Sequence, residues 1–238
     1  VLVDDEIITN YDLENEIKYL KILNSNLNQL NDNQRIEIAK STLINQIIKK
    51  KEIKKFVTME NENQFINNYL KELYSRLGFD DEKEFENILK KKTNYDLSKI
   101  KEKIKIDLYW NDLIFNKYNN QIKINKEEML AKIEVMQEDS KKEYFLSEIV
   151  FAKKKNKTIQ DLYTEIKISI EEIGFNNTAN IYSNSDSSKF GGKVGWVTEI
   201  SLSETVKEKL KNINKGEFTD LIRLANNFLI LKIEDERI

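Results

Sequence analysis

The chain has 238 residues, enough for one large or two ordinary domains, and 39% hydrophobic with 10% aromatic content supplies a core for each. Lys+Arg 39 against Asp+Glu 41 leaves a formal charge of -2, which withholds the long-range attraction that nucleic-acid and anionic-membrane binders use, so neither partner is expected. Cys and His are both 0, which excludes thiol nucleophiles, disulfides, histidine bases, Ser-His-Asp triads and every His or Cys zinc site; Pro is 0 too, and abundant Ile, Lys and Asn point to an AT-rich genome as the cause.

Val1-Leu2-Val3 and Ile7-Ile8 flank Asp4-Asp5-Glu6, predicting a short hairpin. Thr9, three residues before Asp12, has the form of a capping box, and Leu13, Ile17 and Leu20 follow at helical spacing. Residues 24–33 are polar and read as a loop. A long helix is predicted from Gln34 to Val57, with Ile36, Leu43, Ile44, Ile47 and Ile48 on one broad face. Another runs from about Glu60 to Leu77 and stops at Gly78. Asp80 and Asp81 open a short helix, Asn94 is the expected cap of a longer one through Tyr118, and Asn125 with Glu127 and Glu128 opens the last helix of this half.

Near residue 140 helices alone give way to a mixture, and a domain boundary is placed at 139/140. Lys142 to Ala152 reads as a strand, 156–174 as a helix with a glycine stop, Phe175 to Tyr182 as a second helix, and Ser183 to Lys189 as a polar loop. Gly191-Gly192-Lys193-Val194-Gly195-Trp196 follows, then a helix over Ser203 to Leu210 and strands around Glu217 to Ile222 and Phe228 to Ile233. The fold class is therefore α+β, a helical half with a hairpin followed by a mixed unit of about 100 residues. No stretch approaches the roughly 20 apolar residues that span a bilayer.

The glycine cluster fits neither a dinucleotide-binding nor a P-loop pattern, so it reads as a tight turn that brings Trp196 into the core. Asp4-Asp5, Asp80-Asp81 and the neighbourhood of Asp235 lack the alternating oxygen spacing of a calcium loop, and no metal or cofactor is expected. Tyr69, Tyr74, Tyr109, Trp110, Phe115 and Tyr118 exceed the obvious needs of a small helical core, so some are expected to line an apolar groove for polypeptide segments.

The C-terminal residues together resemble a parvulin domain, the fold of one class of peptidyl-prolyl isomerases. Leu146-Ser147-Glu148-Ile149-Val150 resembles its first strand, Phe175 through Ser183 its short helix ending in Tyr-Ser, and Gly191 through Trp196 its Gly-Gly-x-Leu-Gly-Trp signature. Leu210 through Glu217 and Asn227 through Lys232 resemble its remaining helix, turn and last strand. Upstream, Val1 through Thr9, the Asp12-Leu13 helix start and Leu77-Gly78-Phe79-Asp80 resemble the N-terminal helical domain of SurA-type chaperones.

The resemblance implies a site and also a departure from it. Active parvulins bring one histidine from the first strand and one from the last beneath the substrate proline; Glu148 and Leu229 stand at those positions. Ser185, with Asp186 beside it, falls at the polar position after the Tyr-Ser helix, and Val194, Leu202, Val206 and Phe228 match the apolar wall for the proline ring. Two functions stay open on this reading. One is an ATP-independent periplasmic chaperone, its signal peptide removed, that binds unfolded outer-membrane protein segments through residues 1–139 and carries a parvulin-like domain over 140–238 with weak or no isomerase activity. The other is an active prolyl isomerase that works through Glu148 and Ser185. A third, purely structural role as a scaffold module also fits the composition.

Overall fold

The computed structural model describes residues 1–59, 64–119, 142–154 and 156–238. These divide into two compact units, one running from the N-terminus to Tyr118 without Asn26–Leu30, the other holding Asn26–Leu30 and everything from Glu143 onward. The boundary expected at 139/140 and the helix expected at Asn125 lie outside the described residues. The architecture is α+β, with helices dominating the first unit and an antiparallel sheet organising the second.

In the first unit β1 (Leu2–Val3) and β2 (Glu6–Ile7) form the hairpin, with Asp4 at φ 53 in its turn. α1 (Asn10–Leu23) starts at the predicted capping box, where Thr9 and Asp12 satisfy each other's backbone N–H groups. The polar stretch after it contains a 3₁₀ turn, Ser25–Gln29, and Leu27 and Leu30 are buried. α2 (Asp32–Lys54) begins two residues before the expected Gln34, because Asn31 and Gln34 make a second reciprocal cap. α3 (Gln64–Arg76) is followed by Gly78 at φ +82, and Asp81 caps α4 (Glu82–Lys92).

α5 (Leu97–Tyr118) is capped by Asp96, not by Asn94 as expected. Asn94 is drawn to α1 instead: its amide donates to the Tyr11 hydroxyl at 2.6 Å and its backbone N–H to Asn15 Oδ1 at 3.2 Å. α2 packs against α1 and α5, and α3 against α5, around Leu20, Ile53, Leu70, Phe85 and Ile100. A charged cluster lies within this packing. Lys103 of α5 reaches Glu16 of α1 at 2.7 Å and Gln46 of α2 at 2.8 Å, while the Tyr95 hydroxyl donates to the same Glu16 oxygen at 2.8 Å.

The second unit is a sheet in the order β4-β3-β6-β5, built from β3 (Glu143–Ala152), β4 (Lys193–Thr198), β5 (Ile222–Leu224) and β6 (Asn227–Arg237). The last hairpin differs in part from expectation: Glu217 to Thr219 does pair with β6, the Ile233 N–H donating to the Glu217 carbonyl at 3.1 Å and the Thr219 N–H to the Leu231 carbonyl at 2.8 Å, but the regular strand beside β6 is β5, which begins only at Ile222. α6 (Ile159–Ile173) and α7 (Phe175–Tyr182) cover one face of the sheet through Leu162, Ile166, Phe175 and Ala179. α8 (Glu204–Lys211) covers the other through Val206 and Leu210. Trp196 is 39% exposed and so is not the core residue expected; it lies edge-on to Phe145 at 5.4 Å, with the Arg237 guanidinium 4.1 Å from its ring. Among the described residues, no helix is long and apolar enough to cross a membrane.

Candidate functional site

β3 is the inner strand against which the site is assembled. Side chains alternate along a strand, so Glu148 and Val150 point to the face covered by α8, while Ile149 and Phe151 point to α6 and α7. Antiparallel pairing sets Leu231 opposite Glu148 and Leu229 opposite Val150 on that same α8 face. The pairing with β4 slips between Leu146 and Ser147 and the pairing with β6 between Phe145 and Leu146, both just before Glu148. Such irregularities bend a strand and re-aim the side chains beside them.

Three hydrogen bonds to the backbone of β3 fasten the loop after α7. The Val150 N–H donates to Ser183 Oγ at 3.0 Å, the Asn184 N–H to the Val150 carbonyl at 2.6 Å, and the Glu148 N–H to the Gly192 carbonyl at 2.8 Å. The 3₁₀ turn Asp186–Phe190 within the loop is capped by Ser185 and closed by Gly191 in the left-handed region. This folding brings two hydroxyls onto one carboxylate oxygen: Ser185 Oγ donates to Glu148 Oε1 at 2.5 Å and Ser187 Oγ to the same atom at 2.9 Å. Gly192 permits it. At φ +77, a Cβ there would stand 2.3 Å from the Glu148 carbonyl oxygen and 2.9 Å from Ala179 Cβ.

Of the residues singled out from the sequence, Glu148 and Ser185 are therefore in contact. Leu229 is buried beside Val206, with Leu202 and Val150 packed against the same cluster. Val194 is exposed on β4. Phe228 does not join the others, because it precedes Leu229 on an alternating strand and so falls on the opposite face, stacked on Phe151 at 5.9 Å. Ser187 and Ser183 were not singled out. Sequence spacing could not have found Ser187, because the 3₁₀ turn Asp186–Phe190, not an extended strand, is what turns its hydroxyl to the same side as that of Ser185. Asp186 is exposed and makes no hydrogen bond to Glu148.

Chemically the cluster accepts and does not donate. Both hydroxyl protons are spent on Oε1, Glu148 supplies no proton when ionised, and the apolar residues around it offer none. It suits an amide N–H or a cation laid over an apolar seat. Among the described residues, no group of three or more acidic side chains could hold a metal ion.

The helical unit leaves apolar side chains exposed. Phe65 and Tyr69 lie one turn apart on α3, while Ile66 and Leu70 of the same helix are buried. Phe115 and Tyr118 are exposed near the end of α5, whereas Tyr74, Tyr109 and Trp110 are half-buried.

Residues 145–235 match the family model Rotamase, described as a PPIC-type PPIASE domain. No curated protein matches the chain. Among solved structures it is similar to a PpiC-type peptidyl-prolyl cis-trans isomerase domain, at 21% identity over 40% of this chain and 92% of that one, with TM-score 0.35. It is similar to PrsA from Bacillus subtilis, at 22% identity over 83% of this chain and 69% of that one, with TM-score 0.34. It is also similar to a structure reported for the SurA-like chaperones PEB4 and Cj1289 of Campylobacter jejuni, at 17% identity over 100% of this chain and 82% of that one, with TM-score 0.35.

Proposed function

Proceeding from a chain whose residues 145–235 are a PPIC-type PPIase domain, we propose that it is an ATP-independent periplasmic chaperone that holds unfolded outer-membrane protein segments. Residues 1–139 serve as the client-binding domain, and residues 140–238 as a second polypeptide-binding module with weak or no isomerase activity. The observation that carries this reading is the site floor. Leu229 is apolar and buried, and the Glu148 carboxylate already holds two serine hydroxyls, so an apolar seat is kept while proton-donating groups are missing.

The mechanism follows from burial. Reversible coverage of exposed apolar segments lowers their free concentration and with it their aggregation, without nucleotide. Burial is non-directional at about 25 cal/mol per Å², so one surface accepts many sequences. The exposed Phe65, Tyr69 and Phe115 of the helical unit support that role. Light scattering of a urea-unfolded β-barrel protein diluted into buffer tests it. Scattering is expected to fall as the chain is added, and unchanged aggregation at molar excess would overturn the holdase reading.

An active isomerase is the second reading, favoured by the packing of Leu202 and Val206 with Leu229 and Val150. Rotation about X-Pro faces a barrier of about 18–20 kcal/mol, which apolar binding of a twisted amide lowers without proton transfer. A proline-peptide isomerisation assay decides. Background rates support the binding module, whereas catalysis that collapses in Leu202→Ala and Glu148→Gln supports the enzyme.

A further inference from the structure

Several buried or part-buried carboxylates elsewhere in the protein hold a cation: Glu16 holds Lys103 at 2.7 Å, Glu102 holds Lys50 at 2.5 Å, Asp107 holds Lys49 at 3.0 Å and Glu234 holds Lys232 at 2.8 Å. Glu148 is also part-buried, yet among the described residues its partners are only the hydroxyls of Ser185 and Ser187. Two lysines lie in or just after the loop that carries both serines. Lys193 pairs across the ladder with Ser147, on the α6–α7 face, and Lys189 lies over the Phe190 ring at 5.7 Å.

A carboxylate taken partly out of water without a counter-charge bears a desolvation cost that two neutral hydroxyls offset only in part. Both hydroxyls converge on Oε1, which leaves Oε2 open to a donor from outside. Two residues farther along β3, about 7 Å at strand rise, Val150 and Leu229 form the apolar part of the same face. An extended ligand that places an apolar ring on Val150, Leu229 and Leu202 therefore carries a residue one or two positions away over Glu148.

We propose that Glu148 selects the ligand's charge, so that this face takes polypeptide segments with Lys or Arg one or two residues from the seated proline and disfavours those with Asp or Glu there. The inference rests on the reading that the face binds X-Pro segments. Ser185 and Ser187 are positioning residues for the carboxylate.

The test uses the full chain and three labelled peptides that differ only in the residue before proline, Lys, Leu or Glu, with affinity read by fluorescence anisotropy and the location of binding by amide shifts of Ser185 and Ser187. The Lys peptide is expected to bind about tenfold more tightly than the Glu peptide. In Glu148→Gln, whose amide oxygen still accepts from both serines, that ratio is expected to fall to about one. Raising salt from about 0.02 M to 0.5 M is expected to shrink the ratio in the unmodified chain, which keeps the test decisive if the variant does not fold. Equal affinities with shifts at both serines would overturn the charge preference and leave the pocket reading standing. Absence of those shifts with every peptide would overturn both.

Discussion

Gly192 is where the site depends most sharply on one atom. Its φ of +77 lies in the left-handed region, and a Cβ would meet the Glu148 carbonyl oxygen at 2.3 Å, so Gly192→Ala must push the loop off β3. The expected cost is about 2–4 kcal/mol, measured by urea unfolding, together with loss of hydrogen-exchange protection at the Glu148 N–H. Gly78→Ala is the control. Its φ of +82 is equally unfavourable, but nothing lies within 4 Å of the added atom, so about 1 kcal/mol is expected. The sequence marked Gly192 as a turn residue and could not mark it as a point of contact, because the atoms it avoids belong to Glu148 and Ala179, 44 and 13 positions away. Trp196 shows the same limit from the other side. Its size argued for the core, but Phe145 and Arg237, both distant in sequence, shelter it at the surface.

Between elements, charge fixes how the helices of the first unit meet. Lys103 and Glu16 are both buried, so Lys103→Met strands the Glu16 carboxylate with the Tyr95 hydroxyl alone and is expected to cost about 3–5 kcal/mol by denaturant titration. Adding Glu16→Leu to that variant removes the stranded charge and should recover much of the loss. Glu102, at the α2–α5 contact, behaves differently because it is only part-buried and keeps contact with water. Burial alone would raise its carboxyl, but hydrogen bonds from Lys50 and Lys99 outweigh that and hold it down to about 2, against an ordinary value of 4.5. A lowered folded value means the contribution is complete above pH 4.5 and is lost as pH falls through 2. Solvent screening keeps it below about 1 kcal/mol. The denaturation midpoint of the helical unit should accordingly fall further between pH 4.5 and 2 in the native chain than in Glu102→Gln. Capping was legible at Thr9 and Asp81, where the partner is three residues away. It failed at Asn94 because two good caps stood close together and Tyr11 and Asn15 claimed one of them.

At the scale of the molecule, strand segments were readable from apolar runs but their spatial order was not. Nothing local in β4 or β6 reveals that both flank β3, and without that order the parity that sends Phe228 away from Leu229 cannot be assigned to a face. The finished sheet carries a consequence for autonomy. Both of its packed faces, Tyr144, Leu146, Val206 and Leu229 on one and Ile149, Phe151, Leu162 and Ile166 on the other, draw only on residues after 142. A fragment of residues 142–238 is therefore expected to unfold in one cooperative transition, with far- and near-ultraviolet circular dichroism coinciding. What it forfeits is the 26–30 segment that packs with this unit. The polar part of that loss is small, since Asn177 donates to Gln29 at 3.3 Å but also to the Ile173 carbonyl at 2.9 Å, and water replaces the former bond. A net loss of about 1 kcal/mol from the missing segment would lower the melting temperature of a domain this size by about 4–8 °C. A fragment that keeps helical and sheet signals but loses its near-ultraviolet spectrum would instead mean that the 26–30 segment is needed to fix the packing, and that the unit is defined in part by an early segment no C-terminal motif contains.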